Sequence, residues 1–217
     1  MEQKNLSEAG NKWEGNPSHQ NLLPSNDSKK EKSSGLSFVY EMIKIAIIAI
    51  AIIIPVRYFL IQPFFVRGDS MFPTLHNGDY LIVNEITYDL SKPARGDVII
   101  FRFPEDPSQF YVKRIIGLPG ETVTVNNNQV TIKNGEHPDG FILDESSYLP
   151  SGVVTPGSAT KALKDDEYFV MGDNRTRSSD SRFFGAVPSQ YIIGKTWVRA
   201  WPFSSFEVFK TPNISEN

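Results

Sequence analysis

The sequence predicts a mainly β protein, with strongly curved antiparallel sheets preceded by one N-terminal transmembrane helix. Three observations carry that expectation. After Leu60, short runs rich in Val, Ile, Tyr and Phe recur between turn residues. No amphipathic helical pattern competes with them over the same stretch. Ahead of them, residues 45–56 are twelve apolar residues without a charge.

Taken in order, residues 1–35 are rich in Asn, Ser, Glu and Lys and hold almost no apolar cluster, so this tail is expected to be disordered. Lys29, Lys30 and Lys32 stand close before the apolar run, which by the positive-inside tendency keeps the N-terminus in the cytoplasm. An anchor is assigned to residues 36–62. A helix over residues 39–60 would be about 33 Å long, enough to cross a bilayer with Glu41, Lys44 and Arg57 near the interfaces. No small-residue cleavage site follows, so the segment reads as a retained anchor rather than a removed leader. Residues 63–217 would then form one extracytoplasmic domain.

Within that domain, strands are expected at 80–84, 98–103, 110–118, 121–125, 129–133, 167–171 and 195–200, with Asn126, Asn127 and Asn128 closing a hairpin. Residues 123–164 are rich in Gly, Pro and Ser and weakly periodic, and read as a peripheral insertion. The chain has no cysteine, and its net charge of −3 comes from interspersed acidic and basic residues. Disulfides are therefore ruled out, and no nucleic-acid surface is expected.

The chemistry concentrates at Gly68-Asp69-Ser70-Met71-Phe72-Pro73-Thr74-Leu75. Ser70 follows a glycine-containing turn and precedes Met71 and Phe72, apolar residues suited to a substrate-binding pocket wall. A serine hydroxyl needs a base to act at neutral pH. The three histidines, His19, His76 and His137, all lie in polar or turn segments. Lys113 instead sits within an apolar strand, where burial would disfavour its charged form. The competing reading is a lysine reaching from a strand edge to water.

Four motifs then carry a resemblance. They are the Ser70 stretch; Arg95-Gly96-Asp97-Val98-Ile99-Ile100-Phe101-Arg102-Phe103-Pro104; Tyr111-Val112-Lys113-Arg114-Ile115-Ile116-Gly117-Leu118-Pro119-Gly120-Glu121; and Gly172-Asp173-Asn174-Arg175 through Ser178-Ser179-Asp180-Ser181-Arg182. Together they resemble the bacterial type I signal peptidases in the single-anchor form. These are membrane-bound serine endopeptidases that remove signal peptides from exported pre-proteins with a Ser-Lys dyad. The resemblance spans roughly residues 39–201.

It implies a signal-peptidase-like β fold, with Ser70 as nucleophile and Lys113 as base. It also implies that Ser178 hydrogen-bonds the lysine and that Asp180 and Arg182 pair to hold their loop. Some members carry, at the position of Gly68, a serine that completes the oxyanion hole; this chain has glycine there. The implied partners are signal peptides and the lipid bilayer, with neither cofactor nor metal.

Phe64, Phe65, Phe72, Trp197, Trp201 and Phe203 could dip into the lipid surface, although Trp197 also reads as a core aromatic. Ser158-Ala159-Thr160-Lys161 matches a Ser-x-x-Lys pattern but reads as a surface loop. Two other classes stay open. One is a non-catalytic membrane-anchored β-domain that binds or scaffolds envelope proteins. The other is a self-cleaving regulator, which would need a DNA-binding region that the polar N-terminus does not offer.

Overall fold

The computed structural model describes residues 34–55, 61–212 and 214. The tail expected over residues 1–33, and the far end of the anchor at residues 56–60, lie outside the described residues. Helix α1 spans Ser34–Pro55, so helix begins inside the stretch assigned to the tail. Over Gly35–Ile54 it is long and apolar enough to cross a membrane. Its expected continuation to residue 62 is corrected. Pro63 cannot donate a helical hydrogen bond, and Ile61–Phe65 forms strand β1 instead.

Strand β1 pairs antiparallel with β2, Tyr80–Asn84, in which Leu81 and Val83 point inward and alternate with more exposed neighbours. After the short helix α2, Thr87–Leu90, come β3, Val98–Phe103, and β4, Asp106–Gly117, which form a tight antiparallel pair. A second group follows: β5, Thr122–Asn126; β6, Gln129–Lys133; β7, Phe141–Ile142; and β8, Ala159–Ala162. The chain then returns through β9, Glu167–Met171, helix α3, Ser181–Phe184, β10, Val187–Pro188, β11, Ile192–Trp201, and β12, Glu207–Val208.

The main sheet runs β1-β2-β11-β3-β4-β9-β10, with β12 on β11; the smaller sheet runs β7-β6-β5-β8. Register shifts in β11 and near the end of β4 mark bulges, which bend the main sheet. The mainly β, antiparallel expectation therefore holds.

The second half of β4, residues 113–117, and all of β9 are buried on both faces, so their apolar residues run consecutively rather than alternating. Ile115, Tyr168 and Val170 face a cluster with Ile99, Phe101 and Val187. Their sequence neighbours Ile116, Phe169 and Met171 face the opposite cluster, shared with Val123, Val125, Val130 and Ile132 of the smaller sheet. Each such side chain contributes roughly 1.5–3 kcal/mol by leaving water.

Residues 123–164 are thus not peripheral. Their alternating Val and Ile residues make one wall of a core, and Gly117 leaves room for that wall: a Cβ there would lie 2.3 Å from Val123 Cγ2. The Ser-x-x-Lys stretch, expected as a surface loop, is largely strand. Ala159–Ala162 is an extended strand paired with β5, so the helical turn that such a pattern needs is absent.

Candidate active site

The turn that carries Ser70 grows directly out of β1. The Val66 N–H donates to Asp79 O at 2.9 Å and Gly78 N–H to Val66 O at 3.0 Å, extending the β1–β2 ladder. The chain then reverses at Gly68, whose φ of +88° is open to glycine at little cost. Its N–H donates to Asn77 Oδ1 at 2.9 Å, so that donor is already engaged. A tight turn follows, closed by Phe72 N–H to Asp69 O and Leu75 N–H to Met71 O.

This turn decides where the neighbours of Ser70 go. Met71 and Leu75 point inward and are buried with Val66, Leu81, Val83, Val98 and Ile100. Phe72 points outward, its ring edge-on to His76 at 5.2 Å. Met71, expected in the substrate pocket wall with Phe72, thus supports the turn from below, and neither residue is among those lining the groove beside Ser70.

Strand β4 brings Lys113 to the serine. Its Nζ lies 2.9 Å from Ser70 Oγ and 2.9 Å from Val112 O, with the Tyr111 ring centroid at 5.3 Å. Only 4% of Lys113 is exposed. Burial pushes its pKa from 10.5 down to about 8, while the charges of Asp180 and Asp173 pull it back up. No lysine reaching into water is present here. His76 and His137 instead pack on aromatic rings.

The loop after β9 closes over this pair. Asn174 N–H donates to Ser70 O at 3.0 Å, and Asn174 Nδ2 to Asp69 O at 3.0 Å. Asp180 accepts the Gly172 N–H and pairs with Arg182 at 2.8 and 2.9 Å, the pairing expected for these two residues. Ser178 differs from its expectation. Its hydroxyl is buried without a hydrogen-bond partner among the described residues, so the expected bond to Lys113 is not made. It packs instead where a side chain at Gly172 would stand.

Sequence reasoning passed over a second buried pair. Arg114 Nε and Nη2 grip Asp173 at 2.9 and 2.6 Å, Arg114 Nη1 donates to Gly96 O, and Thr74 Oγ1 donates to Asp173 at 2.5 Å. The available signal was an arginine inside an apolar run, a charge that requires a partner. This cluster ties all four motifs together: Thr74 of the Ser70 turn, Gly96 ahead of β3, Arg114 of β4 and Asp173 of the loop after β9.

Beside Ser70 and Lys113 opens a groove of about 630 Å³, walled by Phe64, Phe65 and Val66 on one side and by Phe110, Tyr111 and Val112 on the other. Strand β1 ends the sheet, and β4 meets β9 only from Arg114 onward, so each wall offers unpaired strand edge. The Ser70 N–H makes no hydrogen bond among the described residues and is free to meet an oxyanion. No cluster among them suits a metal ion.

A family described as signal peptidase, peptidase S26, matches residues 39–201. A probable signal peptidase I-1 of Synechocystis sp. is 37% identical over 174 residues, which cover 77% of this chain and 85% of that protein. A signal peptidase I of Bacillus amyloliquefaciens is 35% identical over 187 residues, covering 85% and 98% respectively. A signal peptidase IB of Staphylococcus aureus is 31% identical over 180 residues.

Proposed function

This chain belongs to the signal peptidase family, peptidase S26, and from that premise we propose that it is a membrane-bound serine endopeptidase that removes N-terminal signal peptides with a Ser70–Lys113 dyad. The observation that carries the reading is the 2.9 Å approach of a buried, depressed-pKa lysine to a serine at the head of a supported turn.

Neutral Lys113 takes the Ser70 proton as the hydroxyl oxygen attacks the scissile carbonyl. The Ser70 N–H stabilises the developing oxyanion, and protonated Lys113 then gives its proton to the leaving amine. Neutral again, Lys113 activates the water that releases the acyl-enzyme. Asp180 and Arg182 hold the loop that closes over the pair, and Ser178 and Gly68 shape the space around it. No metal or cofactor is required by this sequence of steps.

The substrate lies extended in the groove, pairing its backbone with the open strand edges and seating small side chains between Val66 and Val112. Helix α1 anchors the chain, with the N-terminus cytoplasmic and the β domain on the outer face. Phe65, Phe72, Trp197, Trp201 and Phe203 are all exposed, which suits contact with lipid.

The test is cleavage of a purified pre-protein with an Ala-x-Ala site by wild type, Ser70→Ala and Lys113→Ala in detergent across pH. Cutting after the second alanine by wild type alone supports the reading. A Lys113→Ala protein that still cuts removes the proposed base. Orientation is tested separately: the chain lacks cysteine, so one introduced at Ser146 should react with an impermeant maleimide on intact protoplasts.

A further inference from the structure

The segment between β7 and β8 reaches back to the loop that covers Lys113. Glu145 is the anchor of that contact. Its Oε2 accepts Arg175 Nη1 at 2.7 Å, its Oε1 accepts Arg175 Nη2, and Tyr148 O–H donates to Oε1 at 2.6 Å. The Arg175 side chain is fully buried and also donates to Thr155 Oγ1 at 2.9 Å and to Gly172 O at 3.2 Å. Arg182 adds a second tie, with Nη1 on Pro156 O and Nη2 on Arg175 O. The Tyr148 ring lies 4.2 Å from the Arg114 guanidinium, which itself holds Asp173.

A guanidinium removed from water keeps its place only while its counter-charge is present. Glu145 supplies that charge from outside the four motifs. Without it, the other carboxylate whose charge acts on Arg175 is Asp173, already engaged by Arg114 and Thr74. Removing Glu145 therefore pulls on residues 172–174, the stretch that donates to the Ser70 carbonyl and covers Lys113.

We infer that Glu145 is a positioning residue for the Ser70–Lys113 pair, acting through Arg175 to hold the loop after β9 closed over the lysine. This rests on the dyad proposed above. The groups facing Lys113 are Ser70 Oγ, Val112 O, the Tyr111 ring and the carboxylates of Asp173 and Asp180. If the loop loosens, water reaches the ammonium while both carboxylates retreat. Hydration acts on the larger influence, burial, so the lysine becomes easier to protonate.

The experiment compares full-length wild type, E145Q, E145D and Y148F, with D144N as the neighbouring-carboxylate control, in the pre-protein assay. For E145Q, kcat should fall roughly 10- to 100-fold with KM little changed, as expected for a small displacement of reacting groups. The alkaline rise of its rate profile should move upward from about 8. E145D should restore part of the rate, and Y148F should move the profile the same way by less. Wild-type profiles for both E145Q and Y148F would overturn the inference, even if both melt lower. If E145Q does not fold, Y148F decides by the same measurement. An active Lys113→Ala would instead overturn the dyad, whereas a dead Lys113→Ala beside an unmoved E145Q profile overturns only the role of Glu145.

Discussion

A Cβ built on Gly172 would stand 2.2 Å from the hydroxyl oxygen of Ser178, and 2.3 Å from the carbonyl oxygen of Ser70. The missing side chain lets the loop after β9 lie flat on the nucleophile's backbone. Gly172→Ala should therefore displace the Ser70 turn or lift the loop. We expect cleavage to drop at least about 100-fold and stability to fall by about 1–3 kcal/mol, as for other overpacked sites. Rates with the pre-protein and a urea titration check the two effects separately.

Lys113 should cost the fold stability at neutral pH. Its pKa in the folded chain is about 8, against an ordinary 10.5. Below pH 8 it is charged in both states, and the folded state bears the full penalty, roughly 3 kcal/mol at 1.36 kcal/mol per unit. Between pH 8 and 10.5 the unfolded chain holds the proton and the folded chain does not, so wild-type stability rises with pH from this group. Lys113→Met should be inactive yet more stable than wild type at pH 7. The gain should be about 1–2 kcal/mol, because Val112 O loses its donor, and it should shrink as pH approaches 10.5. Denaturant titrations at three pH values read this directly.

Asp173→Asn leaves the Arg114 guanidinium buried without its counter-charge, with only 4% of the side chain exposed. A loss of about 3–5 kcal/mol is expected, the usual result of breaking one partner from a buried pair. Because Thr74 also donates to Asp173, the Ser70 turn should loosen and cleavage should fall even in the fraction that folds. Calorimetry together with active-site titration separates the two losses.

The hairpin between β5 and β6 turns through Asn127 and Asn128, with φ of +50° and +62°. Asn tolerates this region, whereas a β-branched residue does not. Asn128→Val should cost about 1–2 kcal/mol, and Asn128→Gly should cost little. Thermal melts of the two variants give the comparison.

Much of this architecture was legible because strand signals and turn signals agreed. The expected ranges at 80–84, 98–103, 129–133 and 167–171 coincide with β2, β3, β6 and β9. The apolar strand holds both Lys113 and Arg114, and its pattern alone leaves a lysine reaching to water equally open, so the pairing of Ser70 with Lys113 across 43 residues rests on the resemblance carried by the four motifs. The losses have physical causes. β1 follows in sequence on the apolar run of the expected anchor, so hydrophobicity alone does not divide Ile61–Phe65 from that segment. The inward direction of Met71 is not legible because the side chains after the nucleophile are set by one tight turn that has no periodic signature. The tie from Glu145 to Arg175 joins residues 30 apart across a Gly- and Pro-rich stretch, where sequence pattern is silent about long-range pairing.

Lys113 and Arg114 are consecutive, yet one reaches Ser70 and the other Asp173. Alternation along β4 makes the two assignments a single one: deleting one residue upstream in that strand would set the Arg114 guanidinium beside the serine and Ile115 against the aspartate, and inserting one would set Val112 beside the serine and the Lys113 amine against the aspartate. The reactive amine and the clamp that shapes its surroundings are thus inherited together. Variation that alters one without the other must come through substitution at fixed length, and the permitted repertoire of this strand is correspondingly narrow.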